Sequence, residues 1–291
     1  MTELFSKIRA LPLWQNEIEI APLSGGLTNL NFIITDGAKK YVLRNGSDIP
    51  EHNLMRFGDL AASRAAHLAG LSPKVHYAEN GMTVIDFIEA KTLTEKDVQD
   101  SDTLARIIPL MQRCHRDIPQ HFHGPALIFW VFHAIRDYGK NLSERGTGYA
   151  SKLSEYMEIN SALEAAAGPF DIAFCHNDWL AANILDDGKR LWLIDWDYGG
   201  FNTPLFDLGG LASNNSFDAA TETFLLETYF ETPVTAGLLR RYHAMKTASL
   251  LREVLWSMLS ELTSTLDIDY APYTLEQIAR FERAHEMFKQ S

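Results

Sequence analysis

Hydrophobic and polar positions alternate along residues 17–23 (EIEIAPL), stop alternating at 24–29 (SGGLTN), and resume over 30–35 (LNFIIT) with β-branched residues. A period of two points alternate side chains to opposite faces of a strand, so this reads as two strands around a turn of small residues. A third strand is predicted at 40–44 (KYVLR), after Asp36-Gly37. Over 53–69 the apolar spacing becomes helical, closing at Gly70 with Pro73 beyond it. Residues 75–77 and 82–88 read as two more strands, joined by Glu79-Asn80-Gly81. After Ala90 helical spacing dominates, over 93–118, 127–160 and from 217 to the end. A short strand at 172–175 and a hairpin of 184–185 with 191–195 interrupt it. The pattern predicts an α+β chain, with a β-rich lobe over 1–90 and a helix-rich lobe over 91–291.

Composition narrows the function classes. The chain has 291 residues, 46% hydrophobic and 22% charged, as ordinary globular proteins have. Its longest nearly apolar stretch, 126–132, is far short of the ~20 residues that span a bilayer. The N-terminus carries Glu3, Lys7 and Arg9 with no apolar core, so it reads as an amphipathic helix and not a secretory signal. Two cysteines, Cys114 and Cys175, give no disulfide framework and make a reducing cytoplasm the default. The net charge of −12 argues against a surface that tracks nucleic-acid phosphates. That charge is uneven, net −2 over 1–90 and −10 over 91–291. The excess serves solubility or attracts a cation to the second part.

The segment FCHNDWLAANILDDGKRLWLIDWDYGG, residues 174–200, carries the strongest chemical signal. It holds His176-x-Asp178, then Asn183 five residues on, then Asp195 at the end of the returning hairpin strand. Phosphoryl transfer of the kinase type needs these groups: a carboxylate to take the acceptor hydroxyl's proton, and an amide and a second carboxylate to hold Mg²⁺ against the triphosphate. The bland alternative is a set of polar residues capping a turn. The constellation resembles the protein-kinase-like small-molecule phosphotransferases, which include the aminoglycoside phosphotransferases and the choline/ethanolamine kinases. The string IDWDYGGFNTPLFDLG is similar to the choline-kinase version of this region. The resemblance implies Asp178 as base, Asn183 and Asp195 as Mg²⁺ ligands, and Asp207 as the tether of the loop, with His176 structural. Asp207 could equally cap a helix before LGGLAS.

Glycines between two strands let backbone N–H groups approach phosphates with no Cβ in the way. The run Ser24-Gly25-Gly26-Leu27-Thr28-Asn29 is by itself a plain hairpin as readily as a phosphate loop, but it resembles the phosphate loop of the choline kinases. The same resemblance assigns Arg44 to the phosphates in place of the usual strand Lys. It puts Asp59 where a helix Glu would pair with that cation, one carbon short in reach. It also makes Asp86 to Glu89 the adenine hinge, with Phe87 and Ile88 against the ring.

At the acceptor end, REVLWSM (252–258) and LDIDYAPY (266–273) resemble the choline-kinase region in which aromatic residues surround a quaternary ammonium. Such ring-face contacts are worth about 0.5–2 kcal/mol each. The resemblance implies Asp197, Tyr198, Glu253, Trp256 and Tyr273 as acceptor contacts. Trp256 is otherwise ordinary core. The expected protein is a bilobal kinase-like phosphotransferase that uses ATP and Mg²⁺. Its acceptor is a small cationic alcohol, choline first and ethanolamine second, with thiamine and aminoglycosides behind. No nucleic acid or membrane partner is expected, and a homodimer is allowed. A catalytically silent nucleotide-binding scaffold is the reading from a different class.

Overall fold

The computed structural model describes residues 2–23, 29–79, 81–264 and 268–291. Five antiparallel strands form the first sheet: β1 (Glu19–Leu23), β2 (Leu30–Asp36), β3 (Lys39–Asn45), β4 (Val75–Glu79) and β5 (Met82–Asp86), in the order β1-β2-β3-β5-β4. The two faces of this sheet have different surroundings. Phe32, Ile34, Tyr41, Leu43, Met82 and Val84 point to one side and are buried with Ile8 of helix α1 (Thr2–Arg9) and with Leu11 and Ile18. Their neighbours in the alternation, Asn31, Ile33, Val42, Arg44 and Ile85, face a cleft on the other side. The N-terminal helix predicted from charge spacing is therefore the lid of the sheet's outer core.

Helix α2 (Arg56–Leu68) follows β3 and crosses to the larger core through Ala62, Ala65 and Ala66. The chain continues through β6 (Lys91–Thr92), α3 (Glu95–Gln99) and α4 (Ser101–Asp117). The sequence pattern ran α3 and α4 together; Asp100 separates them, because its extended backbone ends one helix while its carboxylate accepts from Thr103 N–H and caps the next. The helical spacing over 127–160 belongs to two helices, α5 (Val131–Arg145) and α6 (Ala150–Ala167), broken at Gly146 with φ 77°. Next come β7 (Ala173–Cys175), β8 (Ile184–Asp186), β9 (Leu191–Leu193) and β10 (Gly200–Asn202), the last pairing with β7. Helices α7 (Pro204–Asn214), α8 (Ala219–Phe230), α9 (Ala236–Thr263) and α10 (Ala271–Gln290) complete the chain.

The 28-residue helix α9 is the axis of the second part. Its buried residues occur all round, from Tyr242 and Met245 to Leu251, Leu255 and Leu259, and α5, α6, α7 and α10 pack around it. Close approach of α7 requires a glycine: a Cβ on Gly209 would stand 2.9 Å from the Lys246 backbone. Gly209→Ala is expected to lower unfolding free energy by about 1–3 kcal/mol through overpacking. Gly237→Ala, where a Cβ would meet nothing within 4 Å, should be neutral or stabilising. Calorimetric melting of the two variants checks this contrast.

Candidate active site

The cleft between the first sheet and the helical part encloses a cavity of about 570 Å³. Arg44, Phe87, Ile88, Asp178, Asn183, Asp195, Glu253, Trp256 and Tyr273, each named above from the sequence, all line it. The loop residues Ser24, Gly25, Gly26 and Thr28 lie outside the described residues, as do Leu266 and Asp267. Asn29, which follows the loop, donates to Asp197 at 3.3 Å. Past the end of β5, Phe87 N–H bonds the Lys40 carbonyl at 3.3 Å, which holds the expected hinge against β3.

Arg44 gathers three carboxylates. Its Nη2 donates to Asp195 and to Asp197, each at 2.7 Å, and its Nη1 lies 3.5 Å from Asp59. The shorter Asp59 side chain thus does reach Arg44, as the longest of the three contacts. Asp197 also accepts from Arg56 Nη1 at 2.8 Å, so two arginines hold the carboxylate that the sequence reading gave to the acceptor. The cause is local: Trp196 turns into the core and donates to Ser72 Oγ, which leaves both its neighbours facing Arg44. Asp195 is not the last residue of a strand. β9 stops at Leu193, and Asp195 follows with φ 67°, a conformation a non-glycine residue adopts only under constraint. Of the three carboxylates Asp195 keeps the most exposure, 30% against 7% for Asp59 and 6% for Asp197, so it is the one a metal can reach. Burial and the adjoining carboxylates push Asp195 and Asp59 up, against the pull of Arg44.

The loop carrying Asp178 is fixed from beneath by Asp207. The carboxylate of Asp207 accepts from the backbone N–H of His176 at 2.9 Å and of Asn177 at 2.8 Å, and bonds His115 Nε2 at 2.9 Å. Burial raises its pKa, but His115 first, with Trp179 and His176, more than offsets that and holds it below the usual carboxylate value. Asp207 does not cap α7; Thr203 holds the N-cap position and Asp207 sits inside the first turn. His176 is buried against Trp196, with Nε2 on the Ile194 carbonyl at 2.9 Å. Burial lowers its pKa, so it is a neutral structural group at pH 7. Asn183 donates its amide nitrogen to the Asp178 carbonyl at 2.9 Å and to its carboxylate at 3.2 Å, which leaves Oδ1 as the atom it could offer a metal. Burial pushes Asp178 up to about 7, against the pull of Arg252. Burial likewise raises the Cys114 and Cys175 thiols, the reverse of what a nucleophile needs.

At the acceptor end, Tyr273 donates to Glu253 Oε1 at 2.7 Å. Trp256 is 6% exposed, with its ring 5.2 Å from His52 and 6.0 Å from Tyr270, so it is core along most of its surface and cavity wall at its edge. The Tyr198 ring face is covered by Arg252, whose guanidinium carbon lies 4.3 Å from the ring centroid. Sequence reading gave no role to Arg56, Arg252 or Asn177. Arg56 carried a signal, since it precedes Asp59 by three on one helix face. Asn177 carried little: it takes φ 64° and donates to the Tyr198 carbonyl at 2.8 Å, which joins the loop to the segment after Asp195.

Comparison with known proteins agrees with this geometry. The profile of the choline/ethanolamine kinase family matches residues 20–233. Protein LicA of Haemophilus influenzae (strain ATCC 51907 / DSM 11121 / KW20 / Rd) is 25% identical over 276 residues, covering 90% of this chain and all of that one. A crystal structure of a choline/ethanolamine kinase family protein from Mesorhizobium loti superposes with a TM-score of 0.79 at 28% identity, covering 98% of this chain and 94% of that one. Choline kinase LicA of Streptococcus pneumoniae shares the fold, with a TM-score of 0.80 at 23% identity over 100% of this chain and 99% of that one. The chain has the bilobal kinase-like fold, is a small-molecule kinase and belongs to the choline/ethanolamine kinase family.

Proposed function

We propose that this kinase transfers the γ-phosphoryl group of ATP to the hydroxyl of a small amino alcohol, with choline as first acceptor and ethanolamine as second. The observation that carries the reading is the convergence of Asp178, Asn183, Asp195 and Arg44 on one cavity. LicA of Streptococcus pneumoniae and choline kinase B1 of Caenorhabditis elegans, 27% identical over 217 residues, support choline. A probable ethanolamine kinase A of Dictyostelium discoideum, 24% identical over 311 residues, supports the second. In this reading residues 1–90 hold the nucleotide from one side and 91–291 supply the catalytic loop and acceptor pocket. Ser24, Gly25, Gly26, Thr28 and Asn29 approach the phosphates with Arg44, and Phe87 and Ile88 flank the base. A complex of LicA with AMP, at 22% identity, is in keeping with an adenine nucleotide.

The donor set fits Mg²⁺, a hard cation that takes oxygen ligands: the Asp195 carboxylate and Asn183 Oδ1 would hold it. There it would neutralise phosphate charge. Asp178 receives the acceptor's proton as the new O–P bond forms and the bond to ADP breaks. A carboxylate with its pKa raised to about 7 serves this better than an ordinary one, because it is a stronger base. Asp59 orients Arg44, and Asp207 with His176 positions the loop. Tyr198, Glu253, Trp256 and Tyr273 form the acceptor wall, and Asp197 acts through Arg44 and Arg56. A nucleotide-binding scaffold without turnover is the competing reading; ATP consumption that depends on an added alcohol excludes it.

Asp178→Asn should lower kcat by about 10²–10⁴-fold while nucleotide still binds, since Asp178 acts on the acceptor and not on ATP. In the wild type, kcat/KM should fall as pH drops through about 7, because protonated Asp178 cannot accept a proton. A profile flat from pH 6 to 8 would count against Asp178 as base. Asp195→Asn should raise the Mg²⁺ concentration needed for half-maximal rate, with partial recovery at high Mg²⁺; an unchanged Mg²⁺ titration would remove Asp195 as ligand. Trp256→Ala should raise KM for choline more than for ethanolamine, because only a trimethylammonium depends mainly on ring faces. Steady-state kinetics on both alcohols, with thiamine and an aminoglycoside as comparison acceptors, checks the acceptor class.

A further inference from the structure

Two adjacent glycines sit inside α7, and they face different surroundings. Gly209 lets α7 close on α9, since a Cβ there would stand 2.9 Å from the Lys246 backbone. Gly210 has no such duty. Apart from its own helix backbone, a Cβ on Gly210 would approach only Ser249 Oγ, at 3.8 Å, an ordinary contact. A glycine inside a helix weakens it relative to alanine, and at Gly210 close packing does not offset that loss. What the missing methyl leaves is room. Gly210 and Ser249 both line the cavity that holds Asp178, so the room belongs to that cavity.

Helix spacing explains the placement. Phe206, Gly210 and Asn214 stand four apart on α7, and Ser249, Glu253 and Trp256 stand four and three apart on α9. Residues so spaced share one face of a helix, and all six line the cavity. Ser249 precedes Glu253 by one turn, about 6 Å along the axis, so the recess between Gly210 and Ser249 opens beside the acceptor wall. Its polar group is unclaimed. Ser257, Ser260 and Thr263 on the same helix each donate to a main-chain carbonyl. Ser249 Oγ, on a half-buried residue, bonds no protein group among the described residues. A neutral hydroxyl that both donates and accepts suits another hydroxyl, and it offers no charge to an ionised group.

We propose that Gly210 and Ser249 form a side recess of the acceptor site that takes one further substituent of a cationic alcohol, a hydroxyethyl-sized group on its nitrogen. Gly210 sets the size limit and Ser249 meets the substituent's hydroxyl. This rests on the amino-alcohol phosphotransfer proposed above; choline and ethanolamine remain acceptors, and the recess widens the same class. The transfer is unchanged: the acceptor oxygen bonds the γ-phosphorus, the bond to ADP breaks, and the hydroxyl proton passes to Asp178.

Three acceptors isolate the recess: choline, choline with one N-methyl replaced by ethyl, and choline with it replaced by 2-hydroxyethyl. Ethanolamine, N-ethylethanolamine and diethanolamine repeat the series. In the wild type, the hydroxyethyl member of at least one series should reach a kcat/KM within about threefold of its parent. In Gly210→Ala both extended members should lose about tenfold or more relative to the parent, because the added methyl fills the recess. The melting temperature of that variant should hold or rise, since alanine favours the helix and meets no close contact. Ser249→Ala should lower kcat/KM about fivefold or more for the hydroxyethyl member relative to the ethyl member, which lacks only the hydroxyl. Extended acceptors rejected by the wild type, or ratios that Gly210→Ala leaves unchanged, would overturn the recess and leave the phosphotransfer reading standing. A melting temperature that falls as for Gly209→Ala would make Gly210 a packing residue instead. Equal losses for the two extended members in Ser249→Ala would remove Ser249 from the recess. Failure of both parents and all derivatives would overturn the phosphotransfer reading as well.

Discussion

Arg44 is the charge on which this active site is built. A guanidinium only 12% exposed must be paired, because an isolated buried charge is too costly to maintain. Its three partners come from two distant parts of the chain: Asp59 on helix α2, and Asp195 and Asp197 after strand β9. The first sheet is thereby held to the segment that follows the catalytic loop by charge as well as by packing. Arg56 extends the network to a second guanidinium on Asp197. The set carries three carboxylates against two guanidinium groups, and a bound cation would relieve the crowding of charge that pushes Asp195 and Asp59 up.

The catalytic loop depends on a second buried charge of the opposite kind. Asp207 has no exposed surface to speak of, at 1%, and its oxygens are filled by two backbone N–H groups and His115. Those two N–H groups belong to His176 and Asn177, which immediately precede Asp178. The position of Asp178 is therefore set by main-chain hydrogen bonds from below, and its protonation by burial from around it. Positioning and basicity have separate causes, and a substitution can disturb one without the other.

The acceptor end follows different physics. Aromatic residues are present, but their faces are partly claimed by the protein itself. Trp256 packs on His52 and Tyr270, and Tyr198 carries Arg252 on its face. Glu253 is shared between Arg252 and Tyr273. Recognition here depends on how an incoming molecule exchanges with contacts already made, so the ring count alone does not set the acceptor.

Much of this was legible in the sequence. Period-two alternation gave the strands of the first sheet, because one face packs in a core and the other borders a cleft, and the two surroundings select different side chains. The spacing of Asp178, Asn183 and Asp195 gave the catalytic set, because a loop and a hairpin fix those groups by local geometry. Other features were decided only in three dimensions. Asp197 was assigned to the acceptor, yet the inward turn of Trp196 delivers it to Arg44 and Arg56. Arg56 and Arg252 had no assigned role, since the worth of a guanidinium depends on which carboxylates and rings distant segments bring to it. The helix breaks at Asp100 and Gly146 were blurred because apolar spacing runs through a cap without interruption. Sequence determines what is periodic or closely spaced along the chain; burial and the pairing of charges from separate elements are properties of the packed whole, and the electrostatics of this cleft belongs to the second kind.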